Sequence, residues 1–381
     1  MTTDAEALHK QGQSYERWGL FIMFEQVYNF GNLYEAFKKS RRGKRGKISV
    51  ARFEVNALEA VMYISYLLKE RKYKMAPYNT FIVYEPKKRT VMSNSFVDKV
   101  VQHSLCDNVL EPVFIRSFIL DNYASQRGKG THFGLDRLRE FMRRYYRKHG
   151  PEGWVLKADI SKYFYSIRHE PLREMIYKLI EDDGVRWLVD MIIDSTPDPG
   201  IPIGNQTSQL FALLYLNGMD HFIKEKLGIK YYGRYMDDFY LIHEDKAYLK
   251  ECLIQIKEQL VPLGLEPNSK TQIFPLRHGI DFLGFRTFMT DTGKVVRKIR
   301  RASKNNARRK LKKFHGLVQQ GRMSMETVNQ SYQSWRGHAQ HGNSYHLISR
   351  MDKLYDELFK DMKGVKPDAT TNNKLECGSK N

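Results

Sequence analysis

The 381-residue sequence has few cysteines, a deficit of acidic residues and no long apolar run. Its three cysteines, Cys106, Cys252 and Cys377, stand apart and match no metal-binding or disulfide spacing. No stretch approaches the roughly 18 uninterrupted apolar residues that a membrane span needs. The start of the chain also lacks the charged-then-apolar order of a secretory signal. Together these absences predict a cytoplasmic protein with no membrane partner.

The excess of basic residues is the strongest compositional feature. Sixty-three Lys and Arg against 43 Asp and Glu give a net charge of +20. Residues 38–47 contain seven basic side chains and residues 294–313 contain eleven, and neither run contains an acid. An acidic membrane surface would attract such charge, and a single basic run is usually a solvated face. Two acid-free runs flanking a globular body favour a nucleic-acid partner, because neutralised phosphates release counterions.

Apolar spacing predicts the secondary structure. Helices are predicted over about 13–40, 50–70, 95–120, 131–148, 169–194, 206–228 and 245–262, with a basic helical tail over 295–360. Short strands are predicted at 81–84, 154–160, 271–274 and 280–288. Residues 230–242 place an acid pair between aromatic and apolar residues, which predicts a β-hairpin with the acids at its turn. The last twenty residues are polar and are predicted to be disordered.

Three aspartates are the candidate catalytic residues. Asp237 and Asp238 are adjacent at the predicted turn, and Asp159 ends a predicted strand about eighty residues earlier. Adjacent carboxylates repel each other unless a cation neutralises them. A third carboxylate from a neighbouring strand would complete the oxygen-rich site that Mg²⁺ prefers. Two such ions can activate a 3′-hydroxyl and stabilise the leaving pyrophosphate. An Asp-Asp pair without further motifs is more often a solvated turn. The surrounding motifs therefore decide whether this pair is catalytic.

The run Tyr235-Met236-Asp237-Asp238 resembles the catalytic turn of the reverse transcriptase family. The resemblance follows the family's motif order over about residues 15–350. It implies that Asp159, Asp237 and Asp238 are catalytic and bind two Mg²⁺ ions, with Mn²⁺ as a substitute. It also implies that Tyr235 and Met236 contact nucleic acid.

The run from Ala158 to Phe164 resembles the family's first palm motif. By this resemblance the backbone carbonyl of Ile160 is a further metal ligand. Phe164 would lie against the sugar and exclude a 2′-hydroxyl, which favours deoxynucleotides. Phe164 taken alone is equally well a core aromatic residue.

Further motifs follow in the expected order and imply contacts with nucleotide and nucleic acid. Lys270, in the run 264–271, is implied to protonate or steady the pyrophosphate, although a structural lysine fits that position as well. The remaining nucleotide contacts are implied for Lys87 and Arg89 in the run 84–89, which would hold the triphosphate, and for Ile203, Gly204 and Gln209 in the run 202–209. Nucleic-acid contacts are implied for Arg127 in the run 125–132, for Gly284 in the primer grip 282–285, and for Arg300, Arg301, Lys304 and Arg308 on a thumb helix.

The run 202–209 departs from the usual family pattern. Ordinary members have Gln-Gly and Ser-Pro where this chain has Ile203-Gly204 and Ser208-Gln209. Replacing an amide by a branched hydrocarbon beside the base pair removes a hydrogen bond that checks the pairing. Only shape then distinguishes a correct from an incorrect base, and shape discriminates weakly. The departure, together with the run 334–345, resembles the enzymes of diversity-generating retroelements. Such enzymes copy a template RNA with errors at adenines and work with a basic accessory protein.

Other interpretations remain open from the sequence. An antiphage-defence reverse transcriptase with its own non-coding RNA shares the polymerase motifs. An inactive RNA-binding protein of polymerase fold is a second alternative, which the three intact acids disfavour. An RNA-dependent RNA polymerase usually carries Gly rather than Met before the acids. The chain also has no room after the predicted thumb for a ribonuclease H domain, an integrase or a Cys-rich endonuclease, which disfavours retroviral and intron-homing types.

The resemblance implies an α+β right-hand polymerase that makes cDNA from an RNA template and dNTPs. It comprises an amino-terminal extension with fingers (1–154), a ferredoxin-like palm sheet with interleaved fingers helices (155–290) and a helical thumb (291–360). A polar tail follows over 361–381. The resemblance also implies a bacterial or phage-encoded protein.

Overall fold

The computed structural model describes residues 23–84 and 89–362, and these residues divide into two units. The first unit comprises the described residues of Met1–Gly130 together with Leu156–Ile273. The second comprises Thr131–Val155 together with the described residues of Phe274–Asn381. The start of the first predicted helix and the predicted disordered tail from residue 363 onward lie outside the described residues. The predicted domain boundaries stay a prediction.

Helices dominate the chain before the first palm strand. The predicted helix over 13–40 is two helices within the described residues, and the Asn29 side chain caps the second by accepting a hydrogen bond from the Asn32 backbone N–H at 3.2 Å. The buried Leu33, Ala36 and Phe37 share one face of that helix. The helices are α1 (Met23–Tyr28), α2 (Phe30–Arg41), α3 (Ile48–Val55), α4 (Ala57–Lys69), α5 (Phe96–Leu105), α6 (Glu111–Ile115) and, in the second unit, α7 (Thr131–His149).

A β-hairpin contains the first predicted strand. Strand β1 (Asn79–Val83) pairs antiparallel with β2 (Arg89–Ser93), in a register that sets Val83 opposite Arg89. The second strand was not predicted from the sequence. Lys87 lies in the connection between the strands, outside the described residues.

A four-stranded sheet forms the palm. Its strands are β3 (Trp154–Asp159), β4 (Tyr231–Tyr235), β5 (Asp238–His243) and β6 (Gln272–Pro275), in the order β4-β5-β3-β6. The hairpin β4–β5 is the one predicted around the acid pair, with Tyr235 opposite Asp238. Val155, Leu156, Phe239 and Leu241 are fully buried. Each such apolar side chain contributes about 1.5–3 kcal/mol on burial, which fixes the two central strands.

The helices that pack with this sheet are shorter than predicted. The helix predicted over 169–194 is wrong as a single element, because residues 178–182 separate two helices. Asp182 caps the second one by accepting hydrogen bonds from Gly184 N (2.8 Å) and Val185 N (3.0 Å). The helix predicted over 206–228 is also divided, with a π-helical turn over Phe222–Lys226. The helices are α8 (Tyr163–Ser166), α9 (His169–Tyr177), α10 (Asp183–Ile193), α11 (Gln206–Tyr215), α12 (Asn217–His221) and α13 (Lys246–Leu260).

The second unit combines a three-stranded sheet with helices. Strands β7 (Ile280–Phe282), β8 (Phe285–Met289) and β9 (Val295–Ile299) are antiparallel neighbours in that order. Helices α14 (Arg301–Gln319), α15 (Met325–Gln340) and α16 (Tyr345–Phe359) follow. The helix predicted from residue 295 is therefore wrong over 295–299. Val295, Arg297 and Ile299 alternate as buried residues, which is strand periodicity.

The buried contacts of Arg297 hold β9 in place. The Arg297 guanidinium donates to Leu135 O at 2.6 Å and to His341 O at 3.2 Å, and it pairs with Asp136 at 3.0 Å. Asn343 flanks the same residue, accepting from Arg297 N at 2.9 Å and donating to Arg297 O at 2.6 Å. The run 334–345 thus holds α15 and α16 against β9. The charged Arg297 interrupts the apolar alternation of β9, so strand periodicity is not evident from the sequence.

The two longest helices of the described chain are α7 and α14, with 19 residues each. Helix α14 is rich in Lys and Arg and buries only Leu311, Phe314 and Val318. Within residues 23–84 and 89–362, no helix combines the length and the apolar character needed to cross a membrane.

Candidate active site

The turn of the β4–β5 hairpin brings two of the predicted catalytic acids together. Asp159 ends β3, and Asp237 lies in the two-residue turn between Tyr235 and Asp238. The Ile160 backbone N–H donates to Asp237 O at 3.1 Å, which joins the end of β3 to the turn. Met236 has a φ of 56°, as tight two-residue hairpin turns require. Tyr235 and Met236 are half-buried at this turn.

Asp159 and Asp237 interact directly. Burial, the negative charge of Asp159 and a hydrogen bond with the Asp159 side chain raise the pKa of Asp237 to about 6. Asn268 holds Asp159 in place: its side-chain amide donates to the Asp159 carboxylate, and its backbone N–H donates to Asp159 O at 2.7 Å. Two adjacent, partly buried carboxylates are costly without a cation.

Asp238 has a different environment from the other two acids. It forms an ion pair with Lys157, two residues before Asp159 on β3. In the described part of the chain, no group of three His, Cys, Asp or Glu side chains is arranged to hold a metal ion together. The facing carboxylates of Asp159 and Asp237 nevertheless provide the hard oxygen donors that suit Mg²⁺. The carboxylate of Asp238 is already neutralised by an ammonium group.

A buried ion pair supports the turn from below. Arg234 and Asp220 are both inaccessible to solvent and form an ion pair with two hydrogen bonds, in one of which Arg234 Nε donates to Asp220 at 2.7 Å. Arg234 also donates to Met236 O at 2.9 Å and to Leu213 O at 3.2 Å. Tyr232 donates to the same Asp220 carboxylate at 2.5 Å. One guanidinium therefore ties the backbone of the catalytic turn to α11 and α12.

The residues predicted to surround the nucleotide lie close to one another. The Phe164 carbonyl accepts a hydrogen bond from Ile201 N at 2.8 Å, two residues before Ile203. Phe164 and Ile203 are both half-buried. Gly204 has a φ of 125°, and a Cβ there would lie 3.1 Å from the Met92 carbonyl oxygen of β2. The loop carrying Ile203 thus packs against both the first palm motif and the fingers hairpin.

The other predicted nucleotide contacts are exposed. Arg89 starts β2 and is exposed, so its guanidinium is accessible to a ligand. Lys270 is exposed as well, and its backbone N–H donates to the Asn268 side chain at 2.8 Å. Gln209 accepts a hydrogen bond from Ser125 at 2.5 Å. Arg127 is largely exposed and pairs with Glu111 at 3.2 Å. Gln209, Arg127 and Ser125 line one cavity of about 400 Å³.

The predicted primer grip and thumb residues lie in the second unit. Leu283 and Gly284 form the two-residue turn between β7 and β8, with φ values of 48° and 87°. Arg300 precedes α14, and its backbone N–H donates to Gly284 O at 3.3 Å. The other three predicted basic residues lie on α14 itself: Arg301 is exposed, and Lys304 and Arg308 are half-buried.

Sequence reasoning missed the side chains that support the acids. Lys157 carries a usable signal, because residues two apart on a strand share a face and Lys157 therefore lies on the face of Asp159. Arg234 is a lone basic residue in an aromatic strand, which is a further signal of a buried partner. Asp220 and Asn268 carry none, since their pairing depends on contacts 14 and 109 residues away in the chain.

The comparisons with known proteins agree with this arrangement. The fold is that of a right-hand polymerase, with helices and strands mixed as predicted. The family model described as "Reverse transcriptase (RNA-dependent DNA polymerase)" matches residues 84–287. That match spans more than half of the 381 residues, and the chain belongs to the reverse transcriptase family.

Similar solved structures include telomerases. Apo telomerase from Candida tropicalis, truncated from its C-terminal domain, is 15% identical with a TM-score of 0.44, over 63% of this chain and 60% of that one. Telomerase from Candida albicans, in complex with the TWJ fragment of telomeric RNA, is 15% identical with a TM-score of 0.45, over 80% of this chain and 60% of that one. This chain thus covers less than two thirds of these structures. No curated protein matches.

The raised pKa of Asp237 predicts a pH dependence of stability in the metal-free protein. A folded-state pKa of about 6, above the usual 3.8, means that the folded state binds more protons between these values. The free energy of unfolding therefore falls as the pH rises through this range, and the cost is fully present above about pH 6. Asp237→Asn lacks this cost. In EDTA we expect its melting temperature to exceed that of the wild type by about 2–4 °C at pH 7 and by less at pH 5.

Thermal unfolding of both proteins at pH 5, 6, 7 and 8 checks this expectation. Asp245→Asn is the matched control, because Asp245 caps α13 through Ala247 N and asparagine caps equally well. A stability difference between Asp237→Asn and the wild type that stays constant across the four pH values would contradict a raised pKa at Asp237.

Proposed function

We propose that this chain is an RNA-directed DNA polymerase that copies an RNA template into cDNA. The observation that carries the proposal is the pair of facing carboxylates, Asp159 and Asp237, at the top of the palm sheet in a chain of the reverse transcriptase family. In the reaction the 3′-hydroxyl oxygen of the primer bonds to the α-phosphorus of a dNTP, and the bond to pyrophosphate breaks. Bound Mg²⁺ would supply charge stabilisation for the attacking and leaving oxygens.

The chain's own residues perform the positioning. Asp159 and Asp237 would hold Mg²⁺, and Asn268 keeps the Asp159 carboxylate oriented through its amide. Lys157 balances the charge of Asp238, so the site does not carry three uncompensated carboxylates. Exposed Arg89 is available to the triphosphate, since a guanidinium binds phosphate oxygens in a bidentate manner.

Phe164 is proposed to select deoxynucleotides. Its ring packs edge-on against Tyr163, with ring centroids 5.8 Å apart, and its carbonyl is fixed by Ile201 N. A half-buried ring held in this way cannot easily move aside for a 2′-hydroxyl. The steric clash would favour dNTPs over rNTPs.

Primer extension tests the proposal. The purified chain, an RNA template with an annealed DNA primer, dNTPs and Mg²⁺ should give template-dependent extension that EDTA abolishes. Extension with rNTPs should be much weaker. A folded protein that binds RNA but extends no primer under these conditions would instead support the inactive RNA-binding alternative.

Ile203 is proposed to relax fidelity. Its loop packs against Phe164 and the fingers hairpin, so its side chain is held near the proposed nucleotide position. A branched hydrocarbon there offers shape without a hydrogen bond, and shape discriminates by only about 1–3 kcal/mol for a small group. We expect Ile203→Gln to lower the misincorporation frequency by about tenfold. This corresponds to about 1.4 kcal/mol, in the lower part of that range.

Sequencing the cDNA made from a defined RNA by both proteins measures this effect. Ile203→Leu is the control, because it keeps an apolar side chain of the same volume and should keep the wild-type error rate. Equal error rates in the wild type and Ile203→Gln would reject the proposal.

We further propose that the chain serves a diversity-generating retroelement. Support comes from the run Ile203–Gln209, in which Ile203 and Gln209 replace the Gln and Pro of ordinary family members; the Gln209 side-chain oxygen accepts a hydrogen bond from Ser125. An accessory basic protein and a template RNA would then be its partners. Sequencing the RNA that copurifies with the protein, and then the cDNA made from it, tests this role. Errors concentrated at template adenines support it, whereas a dedicated structured non-coding RNA points to the defence role.

A further inference from the structure

A cavity of about 390 Å³ lies in the second unit between α14 and α15. It opens beside Gly284, the turn of the β7–β8 hairpin, and Arg300 lines the same opening. The volume is large enough for one nucleobase with its sugar. The predicted sequence-independent contacts of α14 with a duplex backbone do not require such a cavity.

The wall on the α15 side is aromatic. Tyr332 and Trp335 line it with nearly parallel rings, 19° apart and with centroids separated by 5.9 Å. Tyr332 is held in place by stacking on Tyr355 at 4.5 Å and by donating its hydroxyl to Asp352 at 2.6 Å. Fixed aromatic rings are the surfaces on which unpaired bases stack in proteins that bind single strands.

Trp335 also supplies an unused hydrogen-bond donor. Its indole N–H is buried and has no acceptor among residues 23–84 and 89–362. A buried donor without an acceptor is unfavourable, so a small rotation of the Trp335 ring that turns this N–H toward an acceptor on a ligand would add affinity. Ring nitrogens and carbonyl oxygens of nucleobases are such acceptors.

The charge around the cavity is positive. Arg300 and Lys310 line it, and none of its lining residues in the described chain is acidic. Arg300 is about half exposed and forms an ion pair with the exposed Asp281 at 3.6 Å, a weak partner that a phosphate could replace. The cavity is thus apolar and aromatic inside with cations at its margin, which complements a nucleotide with its phosphate outermost.

We propose that this cavity binds a single unpaired nucleotide of a bound strand, with its base stacked on the half-buried Trp335, which the buried Tyr332 holds in place, and its phosphate at Arg300 and Lys310. The inference rests on the proposed function, since the strand would belong to the template or the product. It goes beyond backbone contact, because a fully paired duplex has no base to insert. The thumb therefore distinguishes a strand with an extruded base from a perfect hybrid.

Fluorescence of 2-aminopurine tests the proposal. Two RNA–DNA hybrids of equal length are compared, one fully paired and one carrying a single unpaired 2-aminopurine in the duplex. The wild type should bind the hybrid with the unpaired base about tenfold more tightly, as expected for one stacked base. Stacking on the rings should quench the fluorescence of that base.

Ser331→Leu fills the cavity from α15 without removing a packed side chain, since Ser331 lines it. The ratio of the two affinities should fall to about one in this variant, and the quenching should disappear. Ser334→Leu is the matched control, with the same change on the same helix at an exposed position outside the cavity. It should keep the tenfold ratio. Ser303→Leu fills the cavity from α14 and provides an independent second variant if Ser331→Leu is unstable.

Equal affinity of the wild type for the two hybrids would overturn the proposal. A tenfold ratio that persists in both cavity-filling variants would overturn it as well. Primer extension by the wild type on a separate RNA template, whose annealed DNA primer leaves an overhang to copy, separates this failure from failure of the proposed function. Extension there, without any preference between the two hybrids, rejects only the proposed role of the cavity.

Discussion

Asp159→Asn is expected to reduce Mg²⁺-dependent primer extension by at least about 10³-fold. Asparagine keeps the shape of the side chain and removes the charge that faces Asp237. Charge stabilisation by a bound metal contributes several kcal/mol to such a reaction, and each 1.36 kcal/mol is about tenfold in rate. Single-turnover extension of a saturating RNA–DNA hybrid measures the chemical step without product release.

The control for Asp159→Asn is Asp245→Asn, which removes the same charge from the segment that follows β5. Asp245→Asn should extend the primer at the wild-type rate. Asp159→Asn should bind the hybrid with the wild-type affinity. A rate for Asp159→Asn within tenfold of the wild type would show that Asp159 is not a metal ligand. The comparison therefore separates a local role of this carboxylate from the overall charge of the palm.

Asp220→Ala is expected to have the largest effect on stability. It leaves the guanidinium of Arg234 buried without its counter-charge, and both residues are inaccessible to solvent. Breaking a buried pair from one side typically costs about 3–5 kcal/mol. Urea unfolding should show this loss, and primer extension should fall too, because Arg234 holds the Met236 carbonyl at the catalytic turn.

The double variant Asp220→Leu with Arg234→Met sharpens that test. Replacing both charges by apolar groups removes the uncompensated charge but leaves the Tyr232 hydroxyl and the Met236 and Leu213 carbonyls without these partners, so we expect part of the lost stability to return. Glu35→Ala, which breaks the exposed pair with Lys38, should cost less than about 1 kcal/mol. If the double variant is as unstable as Asp220→Ala, the loss arises from something other than the buried charge.

Much of the palm could be predicted because its signals are local. The acid pair lies between aromatic and apolar residues, and β4 and β5 pair around it as predicted. The fold class and the membership of the family are likewise confirmed. Both depend on short runs of residues in a fixed order.

The missed features depend on contacts between distant parts of the chain. Strand β9 was predicted as helix because its middle residue, Arg297, is charged, and its buried state depends on Leu135, 162 residues away. Arg234 and Asp220 are unremarkable until the fold places both in one buried position. The roles of Lys87, Arg89 and the other nucleotide contacts stay predictions, since a surface arginine or lysine has the same local pattern whether or not it binds a ligand.

The position of α7 has a consequence for how the protein is made. Helix α7 precedes the palm strand β3 in the chain, yet its Leu135 carbonyl and Asp136 are bound by Arg297. A ribosome therefore completes the palm before the partners of α7 have emerged. During that interval Leu135 of α7 lacks its native neighbours Phe285, Ile299 and Ala339. Contacts so far apart in the chain slow folding, so we expect α7 to reach its native packing only after β8 and β9 have been synthesised.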